Sequence, residues 1–198
     1  MKRTLQMAVA AGLFASTSPV QARARDEATP VEQPFRGMYV GIDSSVTSIA
    51  GSAGAMIGPQ LGVVAGELVF GVAGYGLGSP VDPAHLQAPR QRPQVSLGYG
   101  VIQAGTLLFG DGPVHVIPLL LFGGGAVSVV QAHGGTAGEA IFVLEPKLEI
   151  EIAPRGIRAL RFGAQGSYRF VSAFELAGLG ARALSGPAAG AFVKLGFF

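Results

Sequence analysis

Phe142-Val143-Leu144-Glu145-Pro146-Lys147-Leu148-Glu149-Ile150-Glu151-Ile152 is the stretch that decides the fold. Phe142, Leu144, Pro146, Leu148, Ile150 and Ile152 alternate with Val143, Glu145, Lys147, Glu149 and Glu151. Successive side chains of a strand point to opposite faces, so a period of two gathers every charge on one face and the apolar residues on the other. A helix would scatter the same residues around its circumference. Residues 142–152 therefore read as a strand that is apolar on one side and ionised on the other.

The pattern recurs just downstream. Across residues 158–171, Leu160, Phe162, Ala164, Tyr168 and Phe170 oppose Arg161, Gln165, Ser167 and Arg169. Ala153-Pro154-Arg155-Gly156 between the two runs has the chemistry of a tight turn. A hairpin follows, and like facing requires odd positions to pair with odd. If paired positions sum to 310, Glu149 lies opposite Arg161; if they sum to 312, Glu151 does. In either register the other glutamate is diagonal, within reach of a long arginine.

Other segments fit the same template. Over 36–47, Met38, Val40, Ile42 and Val46 face outwards against Tyr39, Gly41, Asp43 and Ser45. Over 94–106, Val95, Leu97, Tyr99 and Val101 form the apolar face against Gln94, Ser96, Gly98 and Gly100. In 188–198, Ala191, Val193, Leu195 and Phe197 alternate with Lys194 and Gly196. Residues 54–65, 66–79 and 114–129 are glycine-rich apolar runs with weaker alternation, which brings the count to eight strands. The connections are 48–53, a tight turn near Ala65-Gly66, the long 80–92, the turn at 109–113, the loop 130–139, the Pro154 turn and 172–186. Tight turns alternate with longer loops, the asymmetry of short periplasmic turns and long external loops in outer-membrane barrels. A periplasmic N-terminus puts 80–92 and 172–186 outside. It also puts Phe35, Phe109, Phe197 and Phe198 at the periplasmic rim and Phe142, Tyr168 and Phe170 towards the outer rim, a thin aromatic girdle.

Composition agrees. Glycine supplies 31 of the 198 residues, about twice the ~7% of average usage. Charged residues make up 13%, against ~25% in soluble domains. Mean hydropathy is +0.46, yet no segment offers ~20 apolar residues free of charge and repeated glycine. The barrel is the remaining way to span a bilayer. A helical inner-membrane protein using 59–80 and 116–130 is disfavoured by Gln60, Glu67, Pro118 and the glycines. The fold expected is all-β, an antiparallel up-and-down transmembrane barrel of about eight strands.

An export signal precedes it. Met1-Lys2-Arg3 is a basic start, Leu5 to Ala15 an apolar core too short to span a membrane, and Val20-Gln21-Ala22 and Ala22-Arg23-Ala24 are small-x-small cleavage sites. Residues 1–24 read as a signal peptide cut after Ala22 or Ala24, residues 25–34 as a disordered periplasmic lead-in, and 35–198 as the barrel. The pI of 9.2 misleads: Lys2, Arg3 and Arg23 leave with the signal, so 11 of 14 basic residues remain against all 12 acidic ones. No basic cluster with interleaved aromatics survives, and a nucleic-acid partner is not expected. The absence of cysteine rules out disulfides, thiolate metal sites and a lipobox anchor.

Val143-Leu144-Glu145-Pro146, Leu148-Glu149-Ile150-Glu151, Arg161-Phe162-Gly163 and Gly166-Ser167-Tyr168-Arg169-Phe170-Val171 resemble the last hairpin of a group of small bacterial outer-membrane barrel proteins. Leu184-Ser185-Gly186-Pro187 and Phe192-Val193-Lys194-Leu195-Gly196-Phe197-Phe198 are similar to their final strand. The resemblance covers about the last third of the chain. It implies an eight-stranded barrel of the OmpA/OmpX kind and no activity. Phe197 and Phe198 also resemble the terminal signal read by the barrel-assembly machinery, with Gly196 a departure in spacing.

Few residues in the sequence carry the chemistry of a site. His85 and His133 fall in loops, His115 beside the Gly112-Pro113 turn at an interface, and none has a second ligand at metal spacing. A lipid A-modifying acylase or acyltransferase would need a histidine poised beside a serine. The candidates are His133 with Ser128, or Asp43-Ser44-Ser45 with a distant histidine; His115-Val116-Ile117 lacks the serine. Gly71 to Gly78 and Gly123-Gly124-Gly125 open no helix with a lysine or acidic partner, so no phosphate site is read there. No cofactor is expected.

The polar set that remains is the lumen. Asp43, Glu145, Glu149 and Glu151 are expected to point inwards with Lys147, Arg161, Arg169 and Lys194, four acids with four bases. The interior of an eight-stranded barrel is only wide enough for side chains, and unpaired buried ions are strongly destabilising. A paired, packed plug is therefore expected, with a narrow charged pathway as the alternative. The expected function is structural or surface-interacting, through the external loops. Outer-membrane lipid and lipopolysaccharide would surround the barrel, and the external ligand is open. A soluble periplasmic barrel would invert the facing.

Overall fold

The computed structural model describes residues 35–79, 81, 94–109, 112–130, 135–172, 175–176 and 179–198. The signal peptide, the 25–34 lead-in, His85, His133 and nearly all of 80–92 lie outside the described residues. Eight long strands form the barrel: β1 (Phe35–Ile49), β2 (Ser52–Ala65), β3 (Leu68–Leu77), β4 (Gln94–Thr106), β5 (Val114–Val130), β6 (Thr136–Ile152), β7 (Leu160–Val171) and β10 (Gly186–Phe197). Each pairs antiparallel with its neighbour, and β1 pairs with β10, closing the ring. Closure leaves no strand edge unpaired, so the backbone is satisfied without water on the outside.

Between β7 and β10 the chain forms a small ribbon of β8 (Glu175–Leu176) and β9 (Leu179–Gly180), then one helical turn, α1 (Ala181–Leu184). At 17 residues, β5 and β6 exceed the ~9–11 that a tilted strand needs to cross hydrocarbon. Both ends of the barrel chain lie at one end of the cylinder, the terminal end, with the connections 66–67, 107–113 and 153–159. The opposite, loop end carries the turn at 50–51 and the strand ends from which the β3–β4, β5–β6 and β7–β10 connections leave.

Alternation sets the facing. Met38, Val40, Ile42 and Val46 lie outside, Val40 at 57% and Ile42 at 60% exposure. Leu144, Leu148, Ile150 and Ile152 do the same on β6, where Glu145, Lys147, Glu149 and Glu151 are buried. The apolar outside and ionised inside are the reverse of a soluble ligand-binding barrel.

Three expectations need correction. On β4 the apolar face turns inwards: Val95, Leu97, Tyr99 and Val101 are buried, while Gly98 and Gly100 face outwards. The register requires this, since Tyr99 lies opposite inward-facing Tyr75, and Gly100 opposite Gly74 and Gly124. The connection at 48–53 is no loop but a two-residue turn, with Ala50 at φ 51° and Gly51 at φ 79°, the positive φ at both positions that a type I′ hairpin needs. The turn between β6 and β7 is longer than Ala153–Gly156. Ile157 donates to the Pro154 carbonyl and Leu160 to the Ile157 carbonyl. Paired positions consequently sum to 314, and Glu149 lies opposite Gln165 and Glu151 opposite Gly163. Arg161 faces neither glutamate squarely and is diagonal to Glu151.

The core has two characters. Towards the loop end it is apolar, with Ile49, Val95, Val127, Val129 and Val143 all fully buried. Leu179 and Leu184 of the β7–β10 segment join this cluster at 1% and 0% exposure. That segment is tied down by the Ala50 N–H donating to the Ala183 carbonyl at 2.6 Å. The middle of the lumen is polar, and the terminal half has polar and apolar walls.

Candidate functional site in the barrel lumen

Inward positions recur every second residue on each strand, so the charges of β6 form a ladder along the axis. Neighbouring strands supply the opposite sign at matching heights. In the middle, Lys147 Nζ donates to Asp43 Oδ2 at 2.6 Å, to the Tyr75 hydroxyl at 2.9 Å and to Gln165 Oε1 at 3.1 Å. Tyr75 in turn donates to Asp43 at 2.9 Å, and Gln165 Nε2 donates to the other Asp43 oxygen. One rung nearer the terminal end, Lys194 Nζ lies 2.5 Å from Glu149 Oε2 and 3.3 Å from Glu151 Oε2. Lys147 is 3.6 Å from the other oxygen of Glu149. The lysine head of Lys194 also sits 4.8 Å from the Tyr39 ring centre and 4.6 Å from that of Phe192.

At the terminal end, Arg161 Nη1 donates to Glu151 Oε1 at 2.7 Å and contacts His115 Nδ1 at 2.8 Å. The same Nδ1 lies 3.3 Å from Glu151 Oε1, so this ring nitrogen stands between a guanidinium and a carboxylate. His115 lies directly opposite Glu151 across β5 and β6 and is 4% exposed. It is a lumen residue and not an interfacial one.

Towards the loop end the pairing changes. Arg169 donates to Thr47 Oγ1 at 3.1 Å, to the Leu184 carbonyl at 3.0 Å and to the Tyr99 hydroxyl at 3.5 Å. Glu145 accepts from Tyr99 at 3.0 Å and from Ser167 at 2.5 Å. Among the described residues Arg169 touches no carboxylate directly; Tyr99 stands between it and Glu145.

All eight residues singled out from the sequence thus lie inside, and six of them form one chain of ion pairs: Asp43, Lys147, Glu149, Lys194, Glu151 and Arg161. The reading missed Tyr39, Tyr75, Tyr99 and His115, which complete the network. The available signal was that Tyr75 and Tyr99 are flanked by glycines on the outward face, which leaves the tyrosines to fill the inside. Gly62 shows why glycine is needed on inward positions too: a Cβ there would lie 2.5 Å from the Tyr39 ring.

Phe197 and Phe198 part company. Phe197 points outwards at 80% exposure. Phe198 turns in, its ring 6.2 Å from that of Tyr39 and 3.8 Å from the guanidinium of Arg161. Phe122 and Phe142 meet edge to face on the outer wall, with ring centres 4.5 Å apart.

Comparison with solved structures identifies the architecture. The chain resembles Neisserial surface protein A, NspA, with a TM-score of 0.56 and 12% identity over 82% of this chain and 96% of that one. It also resembles Ail, the attachment invasion locus protein of Yersinia pestis, in complex with the heparin analogue sucrose octasulfate. There the TM-score is 0.52 and identity 11%, over 81% of this chain and 97% of Ail. Ail without that ligand gives a TM-score of 0.51 at 10% identity. The fold is that of the small eight-stranded outer-membrane β-barrels. No protein-family model matches the chain, and no curated protein does.

Proposed function

We propose that the chain is exported by residues 1–24, inserted into the outer membrane by the barrel-assembly machinery, and acts there without catalysis through its loop end. The observation that carries this is a lumen blocked across its middle and beneath the loop end. The ion-pair chain occupies its middle, and Leu179, Leu184 and Ile49 pack beneath the loop end. A solute would have to break several buried pairs to pass, which argues against a porin-like channel. The outward apolar belt suits hydrocarbon and lipopolysaccharide acyl chains.

The same geometry disfavours a lipid A-modifying enzyme. His115 is inside and engaged by Arg161, away from lipid. Ser128 stands on the outer wall of β5, and its candidate partner His133 lies outside the described residues. With the terminal end in the periplasm, the β3–β4 connection is the first candidate to meet a partner, since Leu179 and Leu184 of the β7–β10 connection are packed into the barrel. The attachment protein Ail, bound to a heparin analogue, makes sulfated polysaccharide a sensible first probe.

The test compares cells displaying the barrel with cells displaying one whose residues 80–92 are replaced by a short Gly-Ser linker. Binding to immobilised heparin and to host-cell surfaces is expected to fall in the replacement at equal membrane levels. Equal binding by both, together with altered lipid A in the expressing cells, would replace the surface role with an enzymatic one.

A further inference from the structure

The terminal half of the lumen is not completely filled. A cavity of about 230 Å³ lies there. Val64, Val69, Leu107 and Ile117 make one wall, all of them buried. His115, Arg161 and Lys194 make the other. Arg161 and Phe198 are the half-exposed members of the lining, so the cavity opens to the terminal end beside them.

Its polar wall has spare hydrogen-bonding capacity. Arg161 uses only Nη1, for Glu151 and His115. Its Nε is buried and has no partner. A buried donor left unmade is unfavourable, and the Nε–Nη2 edge of a guanidinium is the fork that takes a carboxylate through two parallel bonds. Glu151 already draws on Arg161 and Lys194, so a bound carboxylate shares the Arg161 charge and its binding is weak. Phe198 meets the guanidinium with its ring.

The apolar wall and the size narrow the class. An apolar cavity of ~150 Å³ holds benzene. The present cavity has room for such a ring with a carboxylate added, flanked by the rings of Tyr39 and Phe198.

We propose that this cavity is a binding site, opening on the periplasmic side, for a small monocarboxylate with a ring-sized or short-chain apolar body. The carboxylate sits on the free edge of Arg161, and the body lies against Val64, Val69, Leu107 and Ile117. The site is independent of the surface role of the loop end.

Benzoate is the probe, titrated into the refolded full barrel in lipid nanodiscs and followed by NMR shifts of His115 and Phe198. Benzyl alcohol supplies the ring without the charge, and acetate the charge without the ring. Saturable millimolar binding of benzoate is expected, at least about tenfold tighter than either control. Arg161→Met should weaken benzoate by about tenfold or more, with benzyl alcohol unchanged. Val69→Phe, which fills the apolar end and leaves Arg161 alone, should abolish both. Heat-modifiable gel mobility checks that each variant folds; if Arg161→Met does not, Arg161→Lys keeps the charge without the fork and should also weaken benzoate. Equal binding of benzoate and benzyl alcohol would overturn the site, as would benzoate binding unchanged by the arginine variants or by Val69→Phe. Absence of shifts at His115 and Phe198 would do the same.

Discussion

Replacing Lys194 by methionine keeps most of the side-chain volume between Tyr39 and Phe192 and strips the charge. Lys194 is 1% exposed and bridges Glu149 at 2.5 Å and Glu151 at 3.3 Å. Both glutamates keep a second cation, Lys147 at 3.6 Å and Arg161 at 2.7 Å. The chain of three cations and three carboxylates thus becomes two cations and three carboxylates, with one buried negative charge uncompensated. Removing one partner of a buried pair costs about 3–5 kcal/mol. With a urea dependence of ~1–3 kcal/mol per molar, the unfolding midpoint should fall by roughly 2 M. The chain has no tryptophan, so unfolding in lipid vesicles is best followed by circular dichroism and by gel mobility. Adding Glu149→Gln to Lys194→Met restores two of each sign and should recover about half the loss or more, a coupling within the 0.5–3 kcal/mol range of contacting residues. Strictly additive effects would refute the paired lumen, as would a midpoint shift under about 0.5 M for Lys194→Met.

N-terminal sequencing of the membrane-bound protein should begin after Ala22 or Ala24; a start at Met1 would remove the export step. Deleting Phe198, or changing Phe197 and Phe198 to serine, should impair assembly and leave export intact. Normal membrane levels and normal heat-modifiability in those variants would show that the ending is no assembly signal. Gly62→Val should destabilise by about 1–3 kcal/mol through overpacking against Tyr39, whereas Gly100→Ala on the outer wall should stay within about 0.5 kcal/mol. Equal costs at the two glycines, read from urea midpoints, would contradict the facing of β2 and β4.

The ionised strand was legible because lipid on one side and a closed lumen on the other force the strictest alternation. Residues 142–152 and 158–171 therefore declared both their faces and their charges. The β4 face was not legible: with glycine and serine on one side and valine, leucine and tyrosine on the other, hydropathy alone points the larger residues to lipid. What turns them inwards is the register with β3 and β5, where Tyr99 faces Tyr75 and reaches Glu145. The pairing of Arg161 depended on turn length, and Ile157 within the longer turn slid the register beyond both expected sums. Nor did the sequence signal that Leu179 and Leu184 pack into the barrel mouth, because they belong to no periodic run. The pair of Asp43 on β1 and Lys147 on β6 joins strands that are not neighbours in the sheet, a contact that only closure of the barrel creates.

Fractionation of expressing cells, with the outer-membrane fraction run on a gel unboiled and boiled, tests the central claim most directly. A closed membrane barrel should be found in that fraction and should shift its mobility on boiling. Recovery in the soluble periplasm or the inner membrane, with one mobility under both conditions, would contradict it.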